Sequence, residues 1–161
     1  LAPPSPIALG RDVRGPVPLD ARDITAVNAL YRADAGPRLT REYLTGGLYY
    51  GMWEADRLVA IAGTQLFRPG HGIAVVANVL THPRYRARGY ATACVGAVTQ
   101  GLLDQVPDVV LNVHPENLPA VHAYRKLGYR GVGYIGEAWA CWKGRNWLDR
   151  MTAQVLHWLM G

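Results

Sequence analysis

Arg86-Ala-Arg-Gly-Tyr-Ala91, followed further along by Asn117-Leu-Pro-Ala-Val-His-Ala-Tyr124-Arg-Lys-Leu-Gly-Tyr129, forms the most informative pair of segments in the chain. The first reads as a turn from a strand into a helix. Gly89 tolerates dihedrals that bring successive backbone amides inward, and Ala91 leaves the helix start uncluttered. The first amides of a helix have no intrahelical partner, and they sit at the positive end of its dipole. Such a turn suits a pyrophosphate, with the Thr92 hydroxyl as a further donor. Taken alone, the hexapeptide reads first as an ordinary strand-to-helix turn with two surface arginines. The second segment places an amide side chain, Asn117, at a helix start and a phenol, Tyr124, two turns later. Ala120, Tyr124 and Leu127 share one face, so Tyr124 can fill core and still present a hydroxyl.

Working outward, strand and turn signals precede the first segment. Runs at 48–53 and 58–66 flank a short turn, Glu54-Ala-Asp-Arg57, and Pro69-Gly-His-Gly72 marks the next reversal before a long apolar strand at 73–81. Helical spacing follows from Gly89 to Leu103 through Ala91, Cys94, Val98 and Leu102. The apolar run 109–113 fits a strand covered on both faces, and 117–127 fits a second helix. Upstream, Asp20 is positioned to cap a helix running to about Ala33 with Ile24, Val27, Leu30 and Tyr31 on one face, and a short helix follows Thr40. Residues 1–19 hold five of the eleven prolines and read as an arm with one short strand. A meander followed by strand, helix, strand, helix implies an α/β chain (α+β by some schemes). Its sheet is mixed, mostly antiparallel, with a parallel pair near the middle. One domain over 1–161 accommodates all of it.

In this order and spacing the two segments resemble the acyl-coenzyme A site of the GNAT superfamily of N-acetyltransferases, with the similarity running over roughly residues 45–135. The resemblance implies the GNAT fold, in which the central parallel strands splay apart and helices flank the sheet. It implies acetyl-coenzyme A as cosubstrate and an amine as acceptor. The stretch Asn78-Val-Leu-Thr-His-Pro-Arg-Tyr-Arg86 matches the strand and turn ahead of the family's phosphate loop. By that match the Val79 amide faces the thioester carbonyl, Leu80 and Thr81 line the pantetheine, and Arg86, Ala87, Arg88, Gly89, Tyr90 and Ala91 supply the loop, with Thr92 behind them. Asn117 contacts the pantetheine arm, and Tyr124 protonates the departing thiolate. A fixed amide donor at Val79 would stabilise the oxyanion that develops on the carbonyl. Some members carry a glutamate base four residues ahead of the Val79 position; here that residue is Val75. His114 and Glu116, beside Asn117, are the nearest substitutes in sequence, with the plainer reading of an exposed loop histidine and a helix-start glutamate favoured over a catalytic one. Tyr49, Tyr50, Trp53 and Gln65 fall on the acceptor side of related proteins, with their roles open. The region around Asn78 and Thr81 is also similar to the acyl-transfer domain of glycine N-acyltransferase-like proteins.

Composition narrows the alternatives. Half of the 161 residues are apolar and 18% are charged, which is a globular balance. No apolar run is long enough for a membrane span. The net charge of +5 is that of an ordinary basic surface, or partly an attraction of Arg84, Arg86 and Arg88 for a polyanion. Without a basic run or a recognition motif, nucleic acid is not an expected partner. No metal site is expected: the two cysteines, Cys94 and Cys141, make neither a disulfide framework nor a zinc site, and a reduced pair suits the cytoplasm. Residues 146–160 carry Trp147, Leu148, Met151, Val155, Trp158 and Leu159 at helical spacing. This amphipathic helix would pack on its own domain or join two subunits in a homodimer. Beside the N-acetyltransferase stand two other readings: a non-catalytic acyl-coenzyme A-binding module, and a transferase of longer acyl groups.

Overall fold

The computed structural model describes residues 15–34 and 38–134. The chain divides into two compact units, Leu1–Arg130 and Gly131–Gly161, where the sequence reading has one domain. Of the second unit only 131–134 are described, without regular structure. The expected helix at 146–160, most of the Pro-rich arm and Cys141 lie outside the described residues.

Five strands form one sheet in chain order: β1 (Val17–Pro18), β2 (Tyr49–Glu54), β3 (Arg57–Arg68), β4 (Ile73–Thr81) and β5 (Asp108–Leu111). The first four pair antiparallel, and β4 pairs with β5 in parallel. The helices are α1 (Ile24–Arg32), α2 (Arg41–Thr45), α3 (Tyr90–Leu103) and α4 (Leu118–Lys126). This is the mixed sheet with flanking helices expected from the sequence. Among the described residues the parallel pair stands at one end of the sheet, because no described strand follows β5.

Each face of the sheet carries its own core. Cys94, Val95, Val98 and Leu102 project from one side of α3 onto Met52, Ala60, Ala62, Ala74 and Val76. Val27, Leu30 and Tyr31 of α1 and Leu44 of α2 cover Leu19, Tyr49, Leu58 and Ile61 on the opposite face. β3 is therefore buried on both faces from Leu58 to Thr64, which accounts for its almost unbroken apolar sequence. Asp20 caps a short 3-10 turn at Ala21–Asp23 before α1 begins, and Asp23 returns the bond as a capping box. Asn28, buried in α1, ties the segment ahead of α2 by exchanging two bonds with the Leu39 backbone, at 3.1 and 2.9 Å. Both ends of that connection are thus anchored.

Candidate active site

The parallel ladder is short. It runs from Ile73 opposite Asp108 to Val76 opposite Leu111, and β4 then continues to Thr81 while β5 has ended. Beyond Val76 and Leu111 no ladder joins the two strands, which is the opening the expected splay would need. On the other edge, β4 stays paired with β3 through Leu80 opposite Ile61 to Thr81 opposite Ala60, and the His82 N–H donates to the Val59 carbonyl at 2.8 Å. Alternate residues of an antiparallel strand turn their amides to opposite edges, so Thr81 turns its own towards the side β5 has left. The Thr81 carbonyl accepts there from Arg86 Nε at 3.3 Å, and the Thr81 hydroxyl is buried with no hydrogen-bond partner among the described residues. An orphaned buried hydroxyl is costly unless a ligand group completes it.

Between Leu80 and Ala77 the register slips, so Asn78 and Val79 together span a single β3 position, Ala62. Asn78 takes φ +55°, an uncommon state that asparagine tolerates better than most residues. Its carbonyl accepts from the Tyr31 hydroxyl at 3.3 Å. In a trans peptide the C=O and N–H point in opposite directions, so the Val79 N–H is aimed away from Tyr31 and the α1 layer. Val79 and Leu80 pack against opposite cores.

The phosphate-loop candidate joins β4 to α3 through a 3-10 turn at Pro83–Tyr85. Ala87 and Gly89 both take positive φ, +61° and +80°. Gly89 is the N-cap of α3, and no side chain caps the helix there. The amides of Tyr90, Ala91 and Thr92 therefore face forward without intrahelical partners. A Cβ built on Gly89 would meet no protein atom within 4 Å, so the space before these amides is open. The Tyr90 hydroxyl donates to Glu54 at the end of β2, which anchors the helix start from below. Arg86 does not stand free as a lure for polyanions: its guanidinium grips both oxygens of Asp34, at 2.9 and 2.8 Å, just beyond α1. Arg88 lies over the Tyr85 ring at 5.0 Å. The backbone of this loop, more than its arginine heads, is what remains available to an anion. The open turn, the uncapped helix and the orphaned Thr81 hydroxyl fit a pyrophosphate with a polar arm running back along β4.

Asn117 caps α4, accepting from the Ala120 N–H at 3.4 Å. Tyr124, on the inner side of α4, packs against the α3 core and meets the Tyr129 ring edge-on, centroids 6.1 Å apart. Burial, with a smaller contribution from Tyr129, pushes its pKa up, so the phenol holds its proton at neutral pH. The two phenols differ in one respect. Tyr129 shares a 2.7 Å bond with Thr99 on α3, whereas the Tyr124 hydroxyl has no partner among the described residues. His114 and Glu116 stand in the loop ahead of α4 with 72% and 89% of their side chains exposed; the Glu116 N–H donates to His114 Nδ1 at 3.4 Å, and the imidazole and carboxylate approach only to 3.9 Å. Nothing around them sets them apart from ordinary loop residues.

The acceptor-side aromatics divide between the two cores. Tyr49 is a core residue whose hydroxyl donates to the Thr64 carbonyl at 3.0 Å, Tyr50 packs towards α3, and Trp53 packs towards α1. Gln65 lines an open groove with Thr40, Glu42, Tyr43 and Phe67. The sequence reading gives Tyr31 only a place on a helix face and Glu54 only a place in a turn, and it leaves out Asp34. It quoted Asn78 without a role, although an asparagine inside an apolar strand is itself a bulge signal.

Residues 22–129 match the family model described as the acetyltransferase (GNAT) family. Among solved structures, one from Novosphingobium aromaticivorans assigned to GNAT acetyltransferases is 32% identical, with a TM-score of 0.63 over 78% of this chain and 55% of that one. The chain thus spans just over half the length of that relative. A protein from Agrobacterium tumefaciens assigned as an acetyltransferase is 20% identical, with a TM-score of 0.61 over 77% of this chain and 99% of the other. An aminoglycoside acetyltransferase from an uncultured soil metagenomic sample shares the fold at 10% identity, with a TM-score of 0.65 over 80% and 95% of the two chains. No curated protein matches the chain significantly.

Proposed function

The chain belongs to the GNAT family of acetyltransferases, and from that premise we propose that it moves an acetyl group from acetyl-coenzyme A to an amine acceptor by direct attack. One observation carries the reading: the β4 edge that β5 leaves beyond Val76 leads directly to the uncapped start of α3. When bound, acetyl-coenzyme A supplies an acyl group already activated as a thioester. The backbone of 86–91, with the Thr92 amide behind it, would hold the pyrophosphate. Thr81, through its amide and its orphaned hydroxyl, would hold the pantetheine arm with Leu80 and Asn117. The Val79 N–H would face the carbonyl oxygen on which charge develops, the position where a preorganised donor contributes most.

Tyr124 would give its proton to the departing thiolate. Its raised pKa keeps it a donor, and its hydroxyl is not committed elsewhere among the described residues. Val75 offers no carboxylate, so the attacking amine would arrive neutral or lose its proton through water. His114 and Glu116, exposed as they are, would serve only at the outer end of that route. The family match does not extend to the subgroup of glycine N-acyltransferase-like proteins, and acyl length belongs to the test.

That test follows free-thiol release from acetyl- and longer acyl-coenzyme A across a panel of amines. Amine-dependent release, fastest with the acetyl thioester, is expected. Tight binding of coenzyme A with no amine-dependent release would replace the enzyme with a binding module. We further place the protein in the cytoplasm, on its buried, reduced Cys94. We propose self-association through residues 146–160, to be checked by sedimentation of the whole chain beside one ending at Gly144.

A further inference from the structure

Three side chains outside the cofactor-binding segments converge on the peptide that carries the Val79 N–H. The Tyr31 hydroxyl donates to the Asn78 carbonyl at 3.3 Å. The Asn78 side-chain amide donates to the Tyr49 hydroxyl at 3.0 Å, and that hydroxyl passes its own hydrogen to the Thr64 carbonyl at 3.0 Å. Tyr31 and Tyr49 are 5% and 2% exposed, so both phenols are packed in place by the α1-side core. Tyr49 belongs to β2 and Asn78 to β4, with β3 between them. The reach across is possible because the intervening residue is Gly63, cross-strand neighbour of Tyr49 on one side and of Ala77 on the other. A Cβ on Gly63 would lie 2.1 Å from the Tyr49 ring. The arrangement therefore depends on a missing side chain as much as on the three present.

An asparagine at φ +55° in a strand is held there by its surroundings, since the extended state is the lower one for an isolated residue. One bond fixes the carbonyl of the Asn78–Val79 peptide and another fixes the Asn78 side chain. With both ends pinned, the orientation of the Val79 N–H is no longer free. We propose that Tyr31, Asn78 and Tyr49 are positioning residues that set the direction of the Val79 N–H as oxyanion donor in acyl transfer. The proposal rests on the reading above that this amide faces the thioester carbonyl. None of the three needs to touch substrate. They act on the reaction through the peptide they hold, and preorganisation of a donor before charge develops is where electrostatic catalysis gains most.

The experiment combines kinetics with the carbonyl stretch of bound acetyl-coenzyme A labelled with carbon-13 at the acetyl carbonyl, measured by difference infrared spectroscopy. The variants are Tyr31→Phe, Tyr49→Phe, Asn78→Gly and Asn78→Ala. A donor aimed at the carbonyl lowers its stretching frequency on binding to the wild type. Tyr31→Phe should lose part of that shift and roughly tenfold in kcat, less than the hundredfold or more typical of deleting a donor outright. KM for acetyl-coenzyme A should stay within about twofold, since ground-state binding is carried by the loop and the arm. Tyr49→Phe should act in the same direction. Asn78→Gly, which keeps the positive φ accessible, should retain more activity and more of the shift than Asn78→Ala. A structural role alone would lower stability and leave kcat and the stretch of the folded fraction unchanged.

The outcomes separate the two ideas. If wild type turns over and the folded Tyr31→Phe and Asn78→Ala proteins match it in kcat and in carbonyl frequency, the positioning role is overturned and the enzyme reading stands. If no amine supports turnover but the stretch shifts on binding and relaxes in Tyr31→Phe, the enzyme reading fails and the hold on the Val79 N–H stands as an inference about binding. If the wild-type stretch does not shift, the amide does not face the carbonyl and the inference is overturned.

Discussion

Replacing Gly89 by alanine separates the conformation of the loop from the space in front of it. Gly89 takes φ +80°, and an L-residue pays roughly 1–2 kcal/mol in that region. For a chain of this size each kcal/mol is worth about 2–4 °C in Tm, so Gly89→Ala should melt roughly 2–8 °C lower. The added methyl meets no protein atom within 4 Å, so the free protein bears no further steric cost. The bound anion would meet it. Blocking one amide from a charged acceptor forfeits about 1.5–3 kcal/mol, or roughly ten- to a hundredfold in Kd. At coenzyme A near 100 times the wild-type Kd, ligand stabilisation is about 2.7 kcal/mol; a thirtyfold weaker variant would keep only about 0.9 kcal/mol. Calorimetric titration with coenzyme A reads the affinity, and thermal melts with and without it read the linkage. Gly128→Ala is the matched control: it has φ +93°, also has open space before its Cβ, and sits at the C-terminal end of α4. It should lose similar stability and keep its affinity. If folded Gly89→Ala loses no more than this control and binds coenzyme A with unchanged Kd, the pyrophosphate does not sit on this loop.

Tyr124→Phe should leave coenzyme A affinity intact and lower kcat on the order of a hundredfold, as steady-state kinetics beside calorimetry will show. Because burial raises the Tyr124 pKa above the ordinary 10.0, the alkaline loss of its proton-donor form should begin above that value, and the substituted enzyme should lack that limb. Tyr31, Tyr49 and Tyr124 are all raised by burial, so the native state favours the neutral phenol. That stabilisation is complete below the unfolded value and is lost as pH climbs through the folded ones, so the urea midpoint should hold below the ordinary phenol value of 10.0 and fall progressively above it. Burial pushes the Cys94 thiol up to about 12, so alkylation at neutral pH followed by peptide mapping should find it unlabelled in the native protein and labelled in urea. Gly63→Ala would force the Tyr49 ring from its place, and chemical denaturation should show a loss of roughly 1–3 kcal/mol or more.

Much of this site lies in local sequence. The Arg86–Ala91 turn, the helix behind it, and Asn117 and Tyr124 on α4 are each encoded within a few residues, and the structure puts them on those elements. The strand at 73–81 keeps the bounds that a glycine turn before it and a proline after it imply. Boundaries moved where tertiary pairing decides them. The strand read at 109–113 forms only at Asp108–Leu111, since its end is set by where its pairing with β4 stops, at Leu111 opposite Val76, and not by its own apolar run. Asp20 caps a 3-10 turn before α1, a difference of geometry within one turn that propensity does not resolve.

The order of elements, the backbone-rich turn at Gly89 and the phenol at Tyr124 are legible from local sequence. These depend on periodicity, on glycine's freedom and on helix ends, all of which act between near neighbours in the chain. Which polar groups find partners depends on packing between elements distant in the chain. The Arg86 charge is taken up by Asp34 across a separation of 52 residues, and Tyr49 crosses β3 to reach Asn78 over 29. The Tyr129 hydroxyl is held by Thr99, whereas the Tyr124 hydroxyl has no described partner. Two phenols five positions apart have the same intrinsic chemistry. What separates them is whether packing brings an acceptor to within hydrogen-bond reach, and that distance exists only once the sheet and its two layers of helices have closed on one another.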